Sequence, residues 1–239
     1  MSISERLHDV TARIDSACRS HGKDPASIAL LAVSKTFPAA AVQEGLDAGL
    51  HAFGENYVQE GVEKILALQG QRAAITWHFI GPLQSNKTRE VAEHFDWMHS
   101  IDREKIARRL SEQRPAAMAP LQVCIQVNVS GEDSKSGVAP TEARALALAI
   151  SGLPGLQLRG VMAIPEPTDD PALQRQRFAQ LVSVFSAIKP ALPEAARPHF
   201  DTLSMGMSSD MESAIAESLP GTITMVRVGT ALFGQRAPR

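Results

Sequence analysis

The chain has 239 residues, with 24 Lys and Arg against 26 Asp and Glu and a formal net charge of −2. So balanced a charge excludes a protein built to neutralise a phosphate backbone, and 5% aromatic residues argue against the stacking platforms that grip single-stranded nucleic acid. No purely apolar run is longer than Ile28 to Val33, too short to span a bilayer, and Glu5, Asp9 and Asp15 stand where a signal peptide needs its apolar stretch.

Two cysteines, Cys18 and Cys124, make neither a disulfide framework nor a metal site and read as packing residues. These features predict a soluble cytoplasmic protein with no membrane, metal or nucleic-acid partner.

Ile3, Leu7, Val10, Ile14 and Cys18 recur at helical spacing, which predicts an amphipathic helix over Ile3–Arg19 that ends at Gly22 and the Pro25 turn. The unbroken run Ile28–Val33 predicts a strand buried on both faces, as in a parallel sheet. A helix follows from Pro38 to Gly49, and the alternation then repeats. Strands are predicted at Ala52–Gly54, Thr76–Ile80, Trp97–Ile101, Leu121–Val129, Leu158–Ile164, Thr202–Ser204 and Thr224–Val228. Helices are predicted at Val58–Leu68, Asn86–His94, Arg103–Gln113, Pro140–Ser151, Pro171–Ile188 and Met211–Leu219.

Eight strands with intervening helices predict an α/β protein, a single (β/α)8 TIM barrel, whose usual length is ~250 residues. One domain is expected over residues 1–239, with 1–22 as an extra N-terminal helix and 28–234 as the barrel. A doubly wound open sheet is the alternative. Its glycine-rich first turn is missing from Ser34-Lys35-Thr36-Phe37-Pro38.

Functional groups of such barrels sit at the C-terminal ends of the strands. Lys35 stands out there as the lysine that directly follows a core strand. A lysine at a barrel rim is partly desolvated, which lowers its pKa and leaves a nucleophilic amine for an aldehyde or ketone. The alternative is that Lys35 snorkels to water.

Two segments suit an anion. Met205-Gly206-Met207-Ser208-Ser209-Asp210 joins the seventh strand to a helix, and Val228-Gly229-Thr230 follows the eighth. Barrels frequently bind phosphate with the loops after strands seven and eight. The alternative for Ser208 or Ser209 is a simple N-cap. A lysine amine opposite a phosphate cradle suggests pyridoxal 5′-phosphate (PLP), which carries both an aldehyde and a phosphate. A Schiff-base aldolase acting on a sugar phosphate explains the two features equally well from position alone.

Several motifs carry a resemblance: Ala32-Val33-Ser34-Lys35-Thr36, Phe53-Gly54-Glu55-Asn56-Tyr57, the segment from His78 to Lys87, Val127-Asn128-Val129 with Lys135-Ser136-Gly137, and Arg159 to Ile164. With Leu203 to Asp210 and Val226 to Gly234, they resemble the YggS/PROSC family of PLP homeostasis proteins from about Ile28 to Gly234, in the family order. The resemblance implies a barrel of the alanine racemase N-terminal domain type (PLP fold type III) with PLP held covalently, as a Schiff base, on Lys35. It also implies Asn56 beside the cofactor, Arg227 at the pyridine nitrogen, and Ser208, Gly229 and Thr230 at the phosphate. Pro82 departs from the family, which often carries His there.

The resemblance further implies a carrier in PLP homeostasis, a monomer without catalytic residues that supplies PLP-dependent apoenzymes. A PLP-dependent amino-acid racemase is the alternative. Racemisation needs a base on each face of the cofactor. Racemases sharing this barrel take the second base, a tyrosine, from a separate C-terminal domain. The sole tyrosine here, Tyr57, opens a helix of the barrel itself. Arg227 would also keep the ring nitrogen unprotonated, because guanidinium does not give up its proton. Without the family, Arg227 would read as a structural ion pair with a rim carboxylate. His78 is expected to be a hydrogen-bonded core histidine, Lys135 a solvated loop lysine or a second aldehyde-binding amine, and Arg108, Arg109, Arg236 and Arg239 solvated surface.

Overall fold

Each strand pairs in parallel with the next and the eighth returns to the first, so the sheet has no free edge. The structure is a computed structural model and describes residues 1–132 and 136–235. The strands are β1 (Ile28–Val33), β2 (Ala52–Glu55), β3 (Thr76–Phe79), β4 (Trp97–Ile101), β5 (Leu121–Gln126), β6 (Leu156–Met162), β7 (Thr202–Met207) and β8 (Ile223–Val228). The helices are α1 (Ile3–His21), α2 (Ala39–Asp47), α3 (Val58–Ala67), α4 (Thr88–His94), α5 (Glu104–Gln113), α6 (Ala143–Ser151), α7 (Pro171–Ile188), α8 (Met211–Ala216) and α9 (Thr230–Phe233). The expected (β/α)8 barrel is present, with α1 ahead of it. Among the described residues no helix is long and apolar enough to cross a membrane.

The differences from the sequence expectation have local causes. β5 stops at Gln126, short of Val129, because Val127 bridges Val138 and the Asn128 N–H bonds the Val138 carbonyl at 2.9 Å. β6 starts earlier, at Leu156, where it pairs with Leu121. β7 runs past Ser204 to Met207 through Gly206, whose φ of 88° is open to glycine and strained for other residues. A Cβ there would also meet the Cβ of Ala214 at 2.7 Å. α6 begins at Ala143 rather than Pro140. α8 ends at Ala216 because Glu217 and Ser218 turn their N–H groups to Ala214 and Ile215. α9 was not expected.

The apolar residues form two layers. The larger packs the outside of the sheet against the helices and contains Phe53, Trp77, Phe79, Phe95, Phe178 and Phe185. The smaller, Leu31, Val33, Ile80 and Met225, forms a separate cluster. Alternation along β1 and β8 separates them: Leu31, Val33 and Met225 belong to the smaller cluster, whereas Ala32, Val226 and Val228 belong to the larger. Both cysteines are buried, and burial pushes the Cys124 thiol up to about 12.

α1 opens with a capping box, Ser2 accepting from the Glu5 N–H while Glu5 accepts from the Ser2 N–H. Its buried stripe packs on α8 and α9. Arg13 holds Glu212 through two hydrogen bonds of 2.8 and 3.1 Å and donates to the Ser208 carbonyl at 2.9 Å. Arg6 donates to the Leu232 carbonyl at 3.4 Å.

Candidate functional site

Lys35, Asn56, Ser208, Arg227, Gly229 and Thr230 line one cavity of about 380 Å³ at the C-terminal mouth of the barrel. Strand ends supply the first five, and α9 begins at Thr230. Val33 and Ile80, from the smaller apolar cluster, form part of its wall.

Lys35 is half-buried and begins the β1–α2 connection. The next residue, Thr36, has φ of 68°, a left-handed conformation rare for a β-branched residue. A buried network beneath it holds that conformation. Thr36 donates its N–H to Glu60 Oε1, and Lys64, only 5% exposed, donates to Glu60 Oε1 at 2.6 Å, Glu55 Oε1 at 2.8 Å and the Ser34 carbonyl at 2.8 Å. The Ser34 hydroxyl donates to the same Glu55 oxygen at 2.5 Å. Burial raises the Glu55 carboxyl despite Lys64 beside it. One lysine thus ties the loop carrying Lys35 to the end of β2, where Asn56 follows Glu55.

Asn56 is fixed by a close backbone approach. A Cβ on Gly81 would meet the Asn56 carbonyl oxygen at 2.1 Å, so only glycine fits there. The Asn56 Oδ1 atom is buried without a hydrogen-bond partner. A buried amide oxygen with no protein donor is a place for a ligand donor or an ordered water.

Arg227 is buried and donates from Nη1 to the Ser204 hydroxyl at 2.8 Å and from Nη2 to the Ala163 carbonyl at 2.8 Å. Among the described residues it forms no ion pair with a carboxylate, so the structural ion pair weighed from sequence is absent. Burial lowers its pKa to about 10, leaving it charged at neutral pH. A guanidinium has five N–H donors, and these two bonds leave three.

Ser208 and Ser209 line the same cavity. Asp210, not either serine, occupies the N-cap of α8, and Asp210 Oδ1 accepts from the Met207 N–H at 2.5 Å. Gly229 caps α9 without a side-chain bond. The first N–H groups of a helix have no intrahelical acceptor, so the turn at Gly229 and Thr230 presents donors beside two hydroxyls.

Other expectations fare unevenly. His78 is a buried, hydrogen-bonded histidine as expected, paired with His99 at 2.9 Å. Arg109 is not solvated surface: it is half-buried and donates to the Ser85 carbonyl and Thr88 hydroxyl at 3.1 and 3.2 Å, which join α5 to α4. Lys135, Arg236 and Arg239 lie outside the described residues. The sequence reasoning missed Lys64 and Glu60, although their i, i+4 spacing on a predicted helix was visible.

The model of the alanine racemase N-terminal domain family matches residues 9–237. A pyridoxal phosphate homeostasis protein of Pseudomonas aeruginosa is 56% identical over 98% of this chain and 96% of its own length. The chain belongs to the pyridoxal phosphate homeostasis protein family. Another member, from Escherichia coli K12, is 52% identical over 98% of this chain and 97% of its own. Among solved structures, PipY of Synechococcus elongatus with PLP bound superposes with a TM-score of 0.80 at 38% identity, covering 97% of this chain and all of that one. An alanine racemase from Corynebacterium glutamicum, 16% identical, has a TM-score of 0.65 and shares the fold over 61% of its length.

Proposed function

We propose that this protein binds PLP and serves its intracellular homeostasis, holding the cofactor and passing it to PLP-dependent apoenzymes rather than turning over a substrate. In this reading one domain spanning residues 1–239 acts as a cytoplasmic monomer. The observation that carries it is the convergence in one cavity of a lysine amine, an uncapped turn with two hydroxyls, and a buried guanidinium that among the described residues is hydrogen-bonded to no carboxylate.

PLP supplies an aldehyde that a lysine amine attacks, a phosphate and a ring nitrogen. The residues fit each part. Lys35 would hold the cofactor covalently. Ser208, Gly229 and Thr230 would take the phosphate through hydroxyls and N–H groups. Arg227 would donate to the ring nitrogen, and Asn56 would accept from or shield the ring substituents. The strapped β1–α2 loop keeps the amine at the mouth of the cavity, while Val33 and Ile80 exclude water from one wall.

Two features favour a carrier. Arg227 donates and does not protonate, which weakens the ring as an electron sink. Tyr57, the sole tyrosine, is exposed and does not line this cavity. The relatives' name, homeostasis protein, agrees.

The test is direct. Protein incubated with PLP and freed of excess should show a visible absorption band, and borohydride reduction followed by peptide mass mapping should place a pyridoxyl group on Lys35. No band, or an adduct confined to another lysine, overturns the assignment.

A further inference from the structure

A line of hydrogen bonds runs from the cavity into the barrel interior. Arg227 Nη1 meets Ser204 Oγ at 2.8 Å, Ser204 Oγ meets His99 Nδ1 at 2.7 Å, and His99 Nε2 meets His78 Nδ1 at 2.9 Å. β8, β7, β4 and β3 each contribute one member. None is more than 4% exposed, so bulk solvent does not reach these groups. The far end is fixed too. The His78 ring stacks on Trp97 with centroids 5.3 Å apart and planes 19° apart. The Arg159 guanidinium lies 4.9 Å from the Trp97 ring centroid and bonds both oxygens of Asp201 at 2.8 and 2.7 Å.

The chemistry of the members gives the line a direction. Arginine only donates, so Ser204 Oγ accepts from Arg227. The single serine proton then has His99 Nδ1 as its acceptor. A neutral imidazole that accepts at Nδ1 carries its proton at Nε2, and that proton faces His78 Nδ1. The opposite arrangement would place two donors on the serine oxygen and leave the serine proton without an acceptor among the four. Burial keeps both rings neutral, which agrees with the same assignment.

We infer that His99, acting through Ser204, is a positioning residue for Arg227, and that the Arg227–Ser204–His99–His78 line is polarised outward from the cavity with both histidines protonated at Nε2. The serine and the Ala163 carbonyl grip the two outer nitrogens of the guanidinium, so its remaining N–H groups keep one orientation. An anchor of this kind holds a buried cation in place through neutral acceptors, while the carboxylate of Asp210 favours its charge without bonding the nitrogens that face a ligand. The consequence for PLP rests on the function proposed above; the direction of the line does not.

Two measurements decide it. In the ligand-free protein at pH 7, nitrogen-15 NMR of labelled histidines should show His99 and His78 neutral and protonated at Nε2. A proton on Nδ1 of His99, or an imidazolium at either ring, overturns the inference. In the PLP-loaded protein, His99→Leu should shift the absorption band and weaken PLP binding about tenfold, the loss of one good hydrogen bond. His99→Gln can accept from Ser204 and donate to His78, and it should restore the wild-type band. A folded His99→Leu protein with the wild-type band and affinity overturns the inference. Should His99→Leu not fold, Ser204→Ala reads the same two quantities against the same criteria. If the wild-type protein itself shows no band, the proposed function falls, and the NMR measurement alone judges the line.

Discussion

Lys64 Nζ donates to the backbone carbonyl of Ser34 at 2.8 Å, so a buried lysine on α3 holds the residue that precedes Lys35. The same ammonium bonds Glu55 and Glu60, the first of which is fully buried. A buried charge stripped of its partner is far more costly than the pair is favourable.

Lys64→Met should therefore destabilise the fold by about 3–5 kcal/mol, read by urea denaturation. Adding Glu55→Gln should recover part of that loss, because the carboxylate left unpaired is then gone. A single variant as stable as wild type would show that the network carries no such energy.

Ser208→Ala and Thr230→Ala should each weaken PLP binding about ten- to a hundredfold, the cost of about 1.5–3 kcal/mol for a hydrogen bond to a charged group. Binding of pyridoxal, which lacks the phosphate, should barely change. Equal losses for both ligands would place the phosphate elsewhere.

The histidine pair makes stability depend on pH. Burial lowers His78 to about 3 and His99 well below its ordinary 6.5. The unfolded chain binds more protons than the native one below pH 6.5, so stability present above that value is lost as pH falls toward the native values. The His78 ring removes about 2 kcal/mol between pH 7 and pH 5, and His99 acts in the same direction. Glu55, raised by burial, works the other way, since its contribution is present at low pH and lost as pH rises through its native value. Urea titrations at pH 7 and pH 5 should show His78→Gln losing about 2 kcal/mol of the histidine dependence. An unchanged slope would mean that His78 binds protons as readily in the folded protein as in the unfolded chain.

PLP-loaded protein should exchange the α-proton of amino acids no faster than free PLP, followed by NMR in deuterium oxide across a panel of amino acids. Exchange needs only one base and is therefore more sensitive than racemisation. Saturable exchange at ~1–10 s⁻¹ would mark an enzyme and end the carrier reading.

The barrel was legible because unbroken apolar runs such as Ile28–Val33 mark strands covered on both faces, and each is followed by a helical segment. Lys35, Asn56 and the turns after β7 and β8 were legible as neighbours because strand ends of a barrel converge on one mouth, whereas Arg227, inside β8, was singled out only by the family resemblance. Lys64 was not. Glu60 and Lys64 at i, i+4 look like an exposed helical ion pair, and nothing local reveals that the β1–α2 loop lies over that face. The pairing of His78 with His99 depends on the stagger between β3 and β4, where His78 stands level with Trp97 rather than with His99. α9 escaped notice because four residues after a strand carry too little periodicity to register. Its start is set by the Gly229 turn.

Two of the three arginines of α1 reach the segments proposed to hold the phosphate: Arg13 bonds the carbonyl of Ser208, and Arg6 that of Leu232, two residues beyond Thr230. The helix ahead of the barrel thus acts as a brace across both jaws of the cradle while contributing no strand to the closed sheet. Loosening it would leave the sheet closed and let the jaws drift apart. The damage would then be felt first in the residence time of the phosphate, and only later in the melting of the fold.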